Sequence, residues 1–372
     1  MNFDFSEEQV LLQEQARKFL ADACPADLVR SALHDDAPYN EELWKGIVEM
    51  GWTAATIPEE YGGLGLSYLE LVVIAEELGR AVAPVPFSSS VYLATEALLL
   101  AGSEEQKNLW LPKLADGSAI GTFALAEGRG RYSPDGIYTG FSNGKISGEK
   151  SVVSDALAAS FCITVARDSN SNEVGLYLVT LNQDQAISQQ ALNTLDMSRS
   201  HSSIHFDGAD AQPLPAGSTD SACLIDQLLD RAAVLFAWEQ IGSADATLEM
   251  ARDYSLERYA FGRQIGSYQA LKHKMAHMYA KNTLARSNCY YAAWALNTNA
   301  PELPVAAATA RVSATQALFF SSKENIQIHG GVGFTWEYDC HLHYRRARLL
   351  AVNIGSEFTW QDKLVSATQQ AA

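Results

Sequence analysis

The sequence lacks the features that mark several protein classes. It has no apolar run near the roughly 18 residues that a membrane span needs, and its start lacks the basic and apolar regions of a secretion signal. Its five cysteines are scattered, without a CxxC pair or a metal-ligand spacing. Basic residues are also scarce, and a formal net charge of -17 argues against a nucleic-acid binder, which needs clustered lysine and arginine. We therefore expect a cytoplasmic protein with no metal site, no membrane span and no nucleic-acid partner.

The composition and the local patterns are those of a folded protein with mixed secondary structure. Hydrophobic residues make up 47% and charged residues 19% of the 372 residues, which is enough for a large core. Ser6 followed by Gln9 indicates a capping box at the start of a helix, short β-rich runs fill the middle of the chain, and helical periodicity returns after them. We expect an α+β fold with a helical N-terminal domain at 1–120, a middle β domain at 121–222 and a C-terminal helical bundle at 223–372.

One polar and aromatic segment joins the first long C-terminal helix to the next. It reads Arg258-Tyr259-Ala260-Phe261-Gly262 and continues to Gln269. An arginine can pair with a phosphate, an aromatic ring can stack on a base, a glycine allows close approach of a ligand, and an amide can hydrogen bond. These groups suit a dinucleotide, although a helix hairpin with a surface arginine explains the segment equally well.

A second segment, Gln327-Ile328-His329-Gly330-Gly331, ends the following helix in glycines and could by itself be an ordinary helix C-cap. Taken together, the two segments resemble the acyl-CoA dehydrogenase family, whose signatures are an RxxFG run and a Q-x-x-GG turn. The resemblance covers essentially the whole chain. The Gly-Phe-Thr-Trp-Glu run that follows resembles the pattern found in a branch of bacterial acyl-CoA dehydrogenases linked to the catabolism of sterols and other ring compounds.

The resemblance implies a fold, a cofactor and a reaction. The fold is a helical domain, a β domain and a four-helix bundle, assembled as dimers of dimers with FAD at a subunit interface. Arg258, Phe261 and Gln269 match the family positions that hold the pyrophosphate and adenine of an FAD whose flavin lies in the neighbouring subunit. A second part of the same cradle is matched by Gln327, Gly330 and Gly331. The implied reaction is α,β-dehydrogenation of an acyl-CoA thioester, with electrons passed to an electron-transfer flavoprotein.

The catalytic base of the family is missing from its usual place. Counting without gaps from Gln327, the position of the family's glutamate falls on Ile354, which cannot accept a proton. Some family members carry the base on the preceding long helix instead, and there the count falls near Ala232. Its acidic neighbours are Asp230 and Glu239. Of these two we favour Glu239 over Asp230, because apolar residues flank it and burial raises the pKa of a carboxylate; a structural role, as a buried glutamate bonded to the bundle, stays open beside the catalytic one.

The β domain departs from the family pattern as well. The family often has Thr-Glu-Pro followed by Gly-Ser-Asp, whereas this chain has Ala126 in place of the threonine and a loop shortened after Gly128. The flavin-facing tryptophan of the next strand is replaced near Val152 or Val153. Both changes concern the chain's own flavin site, and the ADP-side cradle is intact. The pattern suggests one subunit of a hetero-oligomer that gives its cradle to a partner with its own base.

Three alternatives stay open. The chain could be a homo-oligomeric dehydrogenase with a moved base, or a catalytically inert subunit that cradles FAD for a partner. It could also be an acyl-CoA oxidase, although oxidases of this fold usually carry an extra C-terminal domain.

Two clusters of polar residues near the C-terminus have ordinary interpretations. No carboxylate or cysteine stands at ligand spacing among His329, His341 and His343, so we expect no metal there. Arg345, Arg346 and Arg348 could meet coenzyme A phosphates, but such a run more often forms salt bridges on a solvated helix face.

Overall fold

The computed structural model describes residues 5–35, 37–128, 132–181, 185–215 and 221–371. The chain begins with helices whose starts are set by local capping. The Ser6 Oγ accepts a hydrogen bond from the Gln9 backbone N–H at 3.2 Å, and the Gln9 side chain accepts one from the Ser6 N–H at 3.0 Å. The predicted capping box is therefore confirmed. The N-terminal helices are α1 (Glu7–Ala23), α2 (Ala26–Ala32), α3 (Glu41–Glu49), α4 (Tyr68–Arg80), α5 (Glu96–Ala101) and α6 (Glu104–Ala115), with a π-helical segment at Ser88–Thr95 before α5.

The middle of the chain forms a mixed sheet. Its strands are β1 (Gly121–Ala124), β2 (Gly140–Ser142), β3 (Lys145–Ser154), β4 (Phe161–Asp168), β5 (Val174–Thr180), β6 (Ile187–Ala191), β7 (His201–Asp210) and β8 (Gln212–Pro213). They run in the order β6-β7-β3-β2-β4-β5-β8, and β1 pairs in parallel with β4. The inner face buries an apolar core that includes Phe141, Cys162, Val179, Ile204 and Phe206. Burial of this face is what holds the strands in register.

The C-terminal part is helical, apart from one small hairpin. It consists of α7 (Ser221–Glu257), β9 (Tyr259–Ala260), β10 (Arg263–Gln264), α8 (Gln269–Asn297), α9 (Leu303–His329), α10 (Cys340–Leu350) and α11 (Glu357–Ala371). The order of helices, strands and helices confirms the predicted α+β fold. No helix within the described residues combines the length and apolarity that crossing a membrane would require.

The chain forms two compact units that divide within α7. One unit comprises Met1–Ser31, Tyr68–Ala83 and Ala233–Ala372, and the other comprises Ala32–Ser67 and Pro84–Ala232. The first holds helices α1 and α4, most of α7 and all later elements, whereas the second holds the sheet. The three domains proposed at 1–120, 121–222 and 223–372 stay a prediction.

Candidate functional site

The segment between α7 and α8 is a tight β-hairpin. Strands β9 and β10 pair antiparallel and leave Phe261 and Gly262 as a two-residue loop, with φ of +53° and +80°. A turn with positive φ at both positions normally carries Asn-Gly, because a bulky side chain is strained in the left-handed region. The sequence pattern predicts only a connection between two helices here, and it does not predict the hairpin.

The hairpin exposes the side chains that the sequence singled out. Phe261 is 97% exposed and Tyr259 is 62% exposed. Arg258 and Gln269 are exposed too, and none of the residues described by the structure accepts a hydrogen bond from the Arg258 guanidinium. A strained backbone that presents a large apolar ring to solvent indicates a site that binds something else.

Several contacts within the segment from Arg258 to Tyr268 brace the hairpin. The Ile265 backbone N–H donates to the Arg258 carbonyl oxygen at 2.8 Å, and the Tyr268 hydroxyl donates to the Ala260 carbonyl oxygen at 3.0 Å. The Arg263 guanidinium lies 4.0 Å from the centroid of the Tyr268 ring, which adds a cation–π contact. Phe261 is therefore held on a braced turn.

The glycine turn after α9 is open in a way that suits a ligand. Gly330 has φ of +66° and ψ of −139°, a conformation that only glycine adopts readily. A Cβ built on Gly330 or Gly331 would meet no atom of the described residues within 4 Å, whereas one on Gly333 would lie 2.7 Å from the Ile326 carbonyl oxygen. Gln327 is exposed on the last turn of α9. Internal packing thus explains Gly333 but not Gly331, and it leaves the backbone of both open glycines accessible.

Two stacked rings bring the hairpin and the glycine turn together. The ring centroids of Tyr254 and His329 lie 4.1 Å apart with an interplanar angle of 21°. Tyr254 accepts a 2.9 Å hydrogen bond from the Arg258 N–H, and His329 directly precedes Gly330. The structure therefore joins the two segments that were far apart in the sequence. We call Arg258, Phe261, Gln269, Gln327, Gly330 and Gly331 the cradle.

Glu239 lies inside the helical unit and faces an arginine. It is 4% exposed, and its Oε1 is 3.5 Å from Nη1 of Arg346. Arg346 is itself fully buried and donates to the carbonyl oxygens of Val82 and Ala83, each at 3.3 Å. The predicted solvated face is wrong for Arg346, because this residue belongs to the buried stripe of α10.

The second candidate for the base, Asp230, and the usual position of the family's base, Ile354, lie elsewhere in the chain. Asp230 is 4% exposed and belongs to the unit that contains the sheet. Ile354 is also 4% exposed and precedes Gly355, whose φ is +111°. The turn around Ile354 is anchored by Arg311, which donates to the Asn353 Oδ1 at 2.9 Å and to the Leu350 carbonyl oxygen. Burial lowers the pKa of Arg311 to about 9.

The two departures in the β domain lie side by side. Ala126 forms a β-bridge with Val152, which is 48% exposed, whereas Val153 is buried. The neighbouring Glu127 accepts hydrogen bonds from the Tyr138 and Thr139 N–H groups and pairs with Lys150. Burial raises the pKa of Glu127, but Lys150 and the backbone donors offset this, so the net pKa is lowered. The part of the shortened loop that begins at Arg129 lies outside the described residues.

The histidines near the cradle have packing partners. His343 is buried, with its Nδ1 at 2.8 Å from the Ser243 Oγ, and burial lowers its pKa to about 3. His341 packs edge-on against Trp336, and His329 stacks on Tyr254. Within the described residues, no group of three His, Cys, Asp or Glu side chains is placed to hold a metal ion.

Comparison with known proteins assigns the family. Residues 6–118 match the family model "Acyl-CoA dehydrogenase, N-terminal domain", and residues 224–358 match "Acyl-CoA dehydrogenase, C-terminal domain". The chain therefore belongs to the acyl-CoA dehydrogenase family, as the resemblance of its two motifs indicated.

Individual relatives align with this chain over nearly its full length. The acyl-CoA dehydrogenase IpdE2 of Mycobacterium tuberculosis is 34% identical over 342 residues, which are 92% of this chain and 91% of that protein. IpdE2 of Mycolicibacterium smegmatis is 34% identical over 351 residues, 94% of this chain and 95% of that protein. A solved structure described as the Tcur3481-Tcur3483 steroid ACAD is 27% identical, with a TM-score of 0.89 and 98% of each chain covered.

Proposed function

We propose that the chain is a subunit of an FAD-dependent acyl-CoA dehydrogenase that oxidises the α,β carbon–carbon bond of an acyl-CoA thioester. The observation that carries the proposal is the hairpin, which presents a strained, 97% exposed Phe261 beside an unpaired Arg258 in the described part of the chain. The open glycine turn next to it completes a surface for a nucleotide. Family membership supports the same cofactor.

The cradle residues fit the ADP part of FAD by their chemistry. The Arg258 guanidinium suits the pyrophosphate, and the Phe261 ring suits the face of the adenine. The backbone at Gly330 and Gly331 is open to close approach, and the amides of Gln269 and Gln327 can hydrogen bond. FAD, when bound, supplies the acceptor for the hydride that leaves the β carbon. The chain itself must hold the cofactor, orient the thioester and exclude water.

We further propose that the catalytic base comes from a partner chain and that the complex is a hetero-oligomer. Ile354 has no group that accepts a proton, although its N–H could orient a thioester carbonyl. The changes at Ala126 and near Val152 or Val153 concern the same kind of site, whereas the motif residues of the cradle are all present. The relative described as a Tcur3481-Tcur3483 steroid ACAD supports a paired assembly and an acyl group that carries rings. We expect an electron-transfer flavoprotein to take the electrons onward.

The Arg258→Ala variant is expected to bind FAD at least tenfold more weakly than the wild type. A charge-assisted contact between arginine and phosphate contributes roughly 1.5–3 kcal/mol, and 1.4 kcal/mol corresponds to a factor of ten. Flavin released on dilution of the purified oligomer, followed by fluorescence, measures the loss. Arg252→Ala is the matched control, because Arg252, like Arg258, is an exposed arginine near the C-terminal end of α7. The Arg252 side chain is 59% exposed and pairs with Asp253. Equal flavin retention by Arg258→Ala and wild type would contradict the ADP-site assignment.

A catalytic role for Glu239 or Asp230 stays a prediction that single-turnover kinetics can test. Because the Glu239 carboxylate pairs with buried Arg346, we expect Glu239→Gln to lose about 3 kcal/mol or more of stability. We expect its rate of anaerobic flavin reduction, in the oligomer that binds FAD, to stay within about threefold of wild type. A loss of roughly 10²–10⁴ in that rate would instead identify Glu239 as the base. Asp230→Asn is measured in the same way.

A further inference from the structure

The cradle has two halves, one at the hairpin after α7 with Arg258 and Phe261 and one at the glycine turn after α9 with Gly330 and Gly331. Three aromatic rings meet where these halves adjoin. Tyr254 stacks on His329, and the Tyr338 ring stands edge-on to both, at 5.9 Å from Tyr254 and 5.7 Å from His329. His329 is 7% exposed, and its Nδ1 lies 2.9 Å from the Asn325 carbonyl oxygen. That hydrogen bond and the stack fix the orientation of the imidazole.

The stack links the halves of the cradle directly. Tyr254 lies one helical turn before Arg258 on α7, and its carbonyl oxygen accepts the Arg258 N–H. His329 is the last residue of α9 and adjoins Gly330. Below the stack, Ala251 of α7 and Ile328 of α9 are buried in one apolar cluster. The apolar cluster therefore holds the helices together, and the Tyr254–His329 contact lies at their ends, where the cradle residues emerge.

The third ring is tied down from its other side. Tyr338 belongs to the loop between the glycine turn and α10, and the next residue, Asp339, forms an ion pair with Arg30 of α2. The Arg30 guanidinium also donates to the Trp336 carbonyl oxygen at 3.3 Å. The loop is thereby anchored on both sides of Tyr338, so the edge of this ring is held against the stack.

We propose that Tyr254 and His329 are positioning residues of the cradle, whose stacked rings set the spacing between Arg258 and Phe261 on one helix end and Gly330 and Gly331 on the other. The inference rests on the proposed function, because it assumes that the cradle binds the ADP part of FAD. A pyrophosphate and an adenine joined in one molecule require both halves at a fixed separation. A shift of about 1 Å is enough to impair such a site.

The test measures FAD dissociation from the purified oligomer, because FAD affinity reports on the cradle independently of turnover. Tyr254→Leu removes the ring and is expected to weaken FAD binding about three- to tenfold, the range that corresponds to one aromatic contact. Tyr254→Phe keeps the ring and is expected to retain wild-type affinity. His329→Leu removes the same stack from the other helix, and it serves if Tyr254→Leu does not fold. The double variant is expected to bind no more weakly than the worse single variant, because both remove one contact.

Tyr291→Leu is the matched control. Tyr291 also stacks on another ring, that of Trp294 in the same helix, with ring centroids 5.8 Å apart and an interplanar angle of 17°. Loss of the Tyr291 ring therefore removes a similar stacking contact away from the cradle. The FAD affinity of this variant should equal that of wild type even if its melting temperature falls.

The inference is overturned if Tyr254→Leu and His329→Leu both bind FAD as wild type does, or if Tyr254→Phe is weakened as much as Tyr254→Leu. If Arg258→Ala alone weakens binding, the inference fails but the proposed function survives. If neither wild type nor any variant binds FAD, the proposed function fails and the inference fails with it.

Discussion

The Gly242→Ala variant is expected to lose about 3 kcal/mol or more of folding free energy, at the upper end of the cost of overpacking or beyond it. A Cβ at Gly242 would lie 1.8 Å from the Glu76 carbonyl oxygen and 3.1 Å from the Arg80 backbone nitrogen. On the other side of the same crossing, a Cβ at Gly79 would lie 1.9 Å from the Glu239 carbonyl oxygen. Helices α4 and α7 thus cross backbone to backbone, and even one methyl group would force them apart.

The crossing also aligns ion pairs of two buried glutamates, which a separation of the helices would strain. Glu76 is 1% exposed and accepts two hydrogen bonds from the Arg286 guanidinium, at 2.6 and 3.0 Å. The next residue, Glu77, accepts two from Arg17, at 2.7 and 3.0 Å. Breaking a buried pair leaves a charge without its counter-charge, which costs several kcal/mol. A methyl group at position 242 would therefore disturb these ion pairs as well as the backbone atoms that it contacts.

Thermal and denaturant unfolding of Gly242→Ala provides the measurement, and the sign of the effect is diagnostic. Replacing a glycine inside a helix by alanine normally stabilises by about 1 kcal/mol, because alanine is the better helix former. Gly140→Ala, in strand β2, is the control for a methyl group added in open space, since a Cβ at Gly140 would meet no described atom within 4 Å. It should change stability by no more than about 1 kcal/mol. A Gly242→Ala protein as stable as wild type would show that the helices can separate at no cost.

Local chemistry was readable from the sequence, and long-range pairing was not. The capping box at Ser6 and Gln9 could be predicted because both partners lie within one helical turn. The close approach of α4 and α7 at Gly79 and Gly242 could not, because the two helices are far apart in the chain and neither glycine lies in a turn motif. The same holds for the pair Glu239 and Arg346, whose partners lie on different helices.

Some of the missed features did leave a signal. Arg346 lies three residues after His343 and four before Leu350, and all three are buried on one stripe of α10. That helical spacing, rather than the run of arginines, indicated which guanidinium would face inward. The hairpin at Phe261 left a weaker sequence signal, because strands of two residues show no alternation of polar and apolar residues and Phe-Gly is not a usual turn pair. The residues of the cradle could be named from motifs, whereas its braced geometry needed the structure.

Expressed alone, the chain is expected to carry less than one FAD per subunit and to show about 1% or less of the dehydrogenase activity of the complete complex. Proton abstraction from the α carbon needs a carboxylate, and the family position for it, counted without gaps from Gln327, falls on Ile354, which is buried. Removing a general base typically costs 10²–10⁴ in rate. We expect the changes at Ala126 and near Val152 or Val153 to weaken the chain's own flavin site further, and we expect its cradle to serve a second chain.

Co-expression with a second acyl-CoA dehydrogenase chain that has a glutamate at the position matching Ile354 should restore both properties. The ratio of flavin to protein absorbance measures occupancy, and reduction of an artificial electron acceptor measures turnover. Within the restored pair, Arg258→Ala should remove flavin, because we propose that the cradle of this chain serves its partner, whereas Asp230→Asn should leave turnover unchanged. Full flavin occupancy and rapid turnover by the lone chain would exclude an obligate partner and return the search for the base to Glu239 and Asp230.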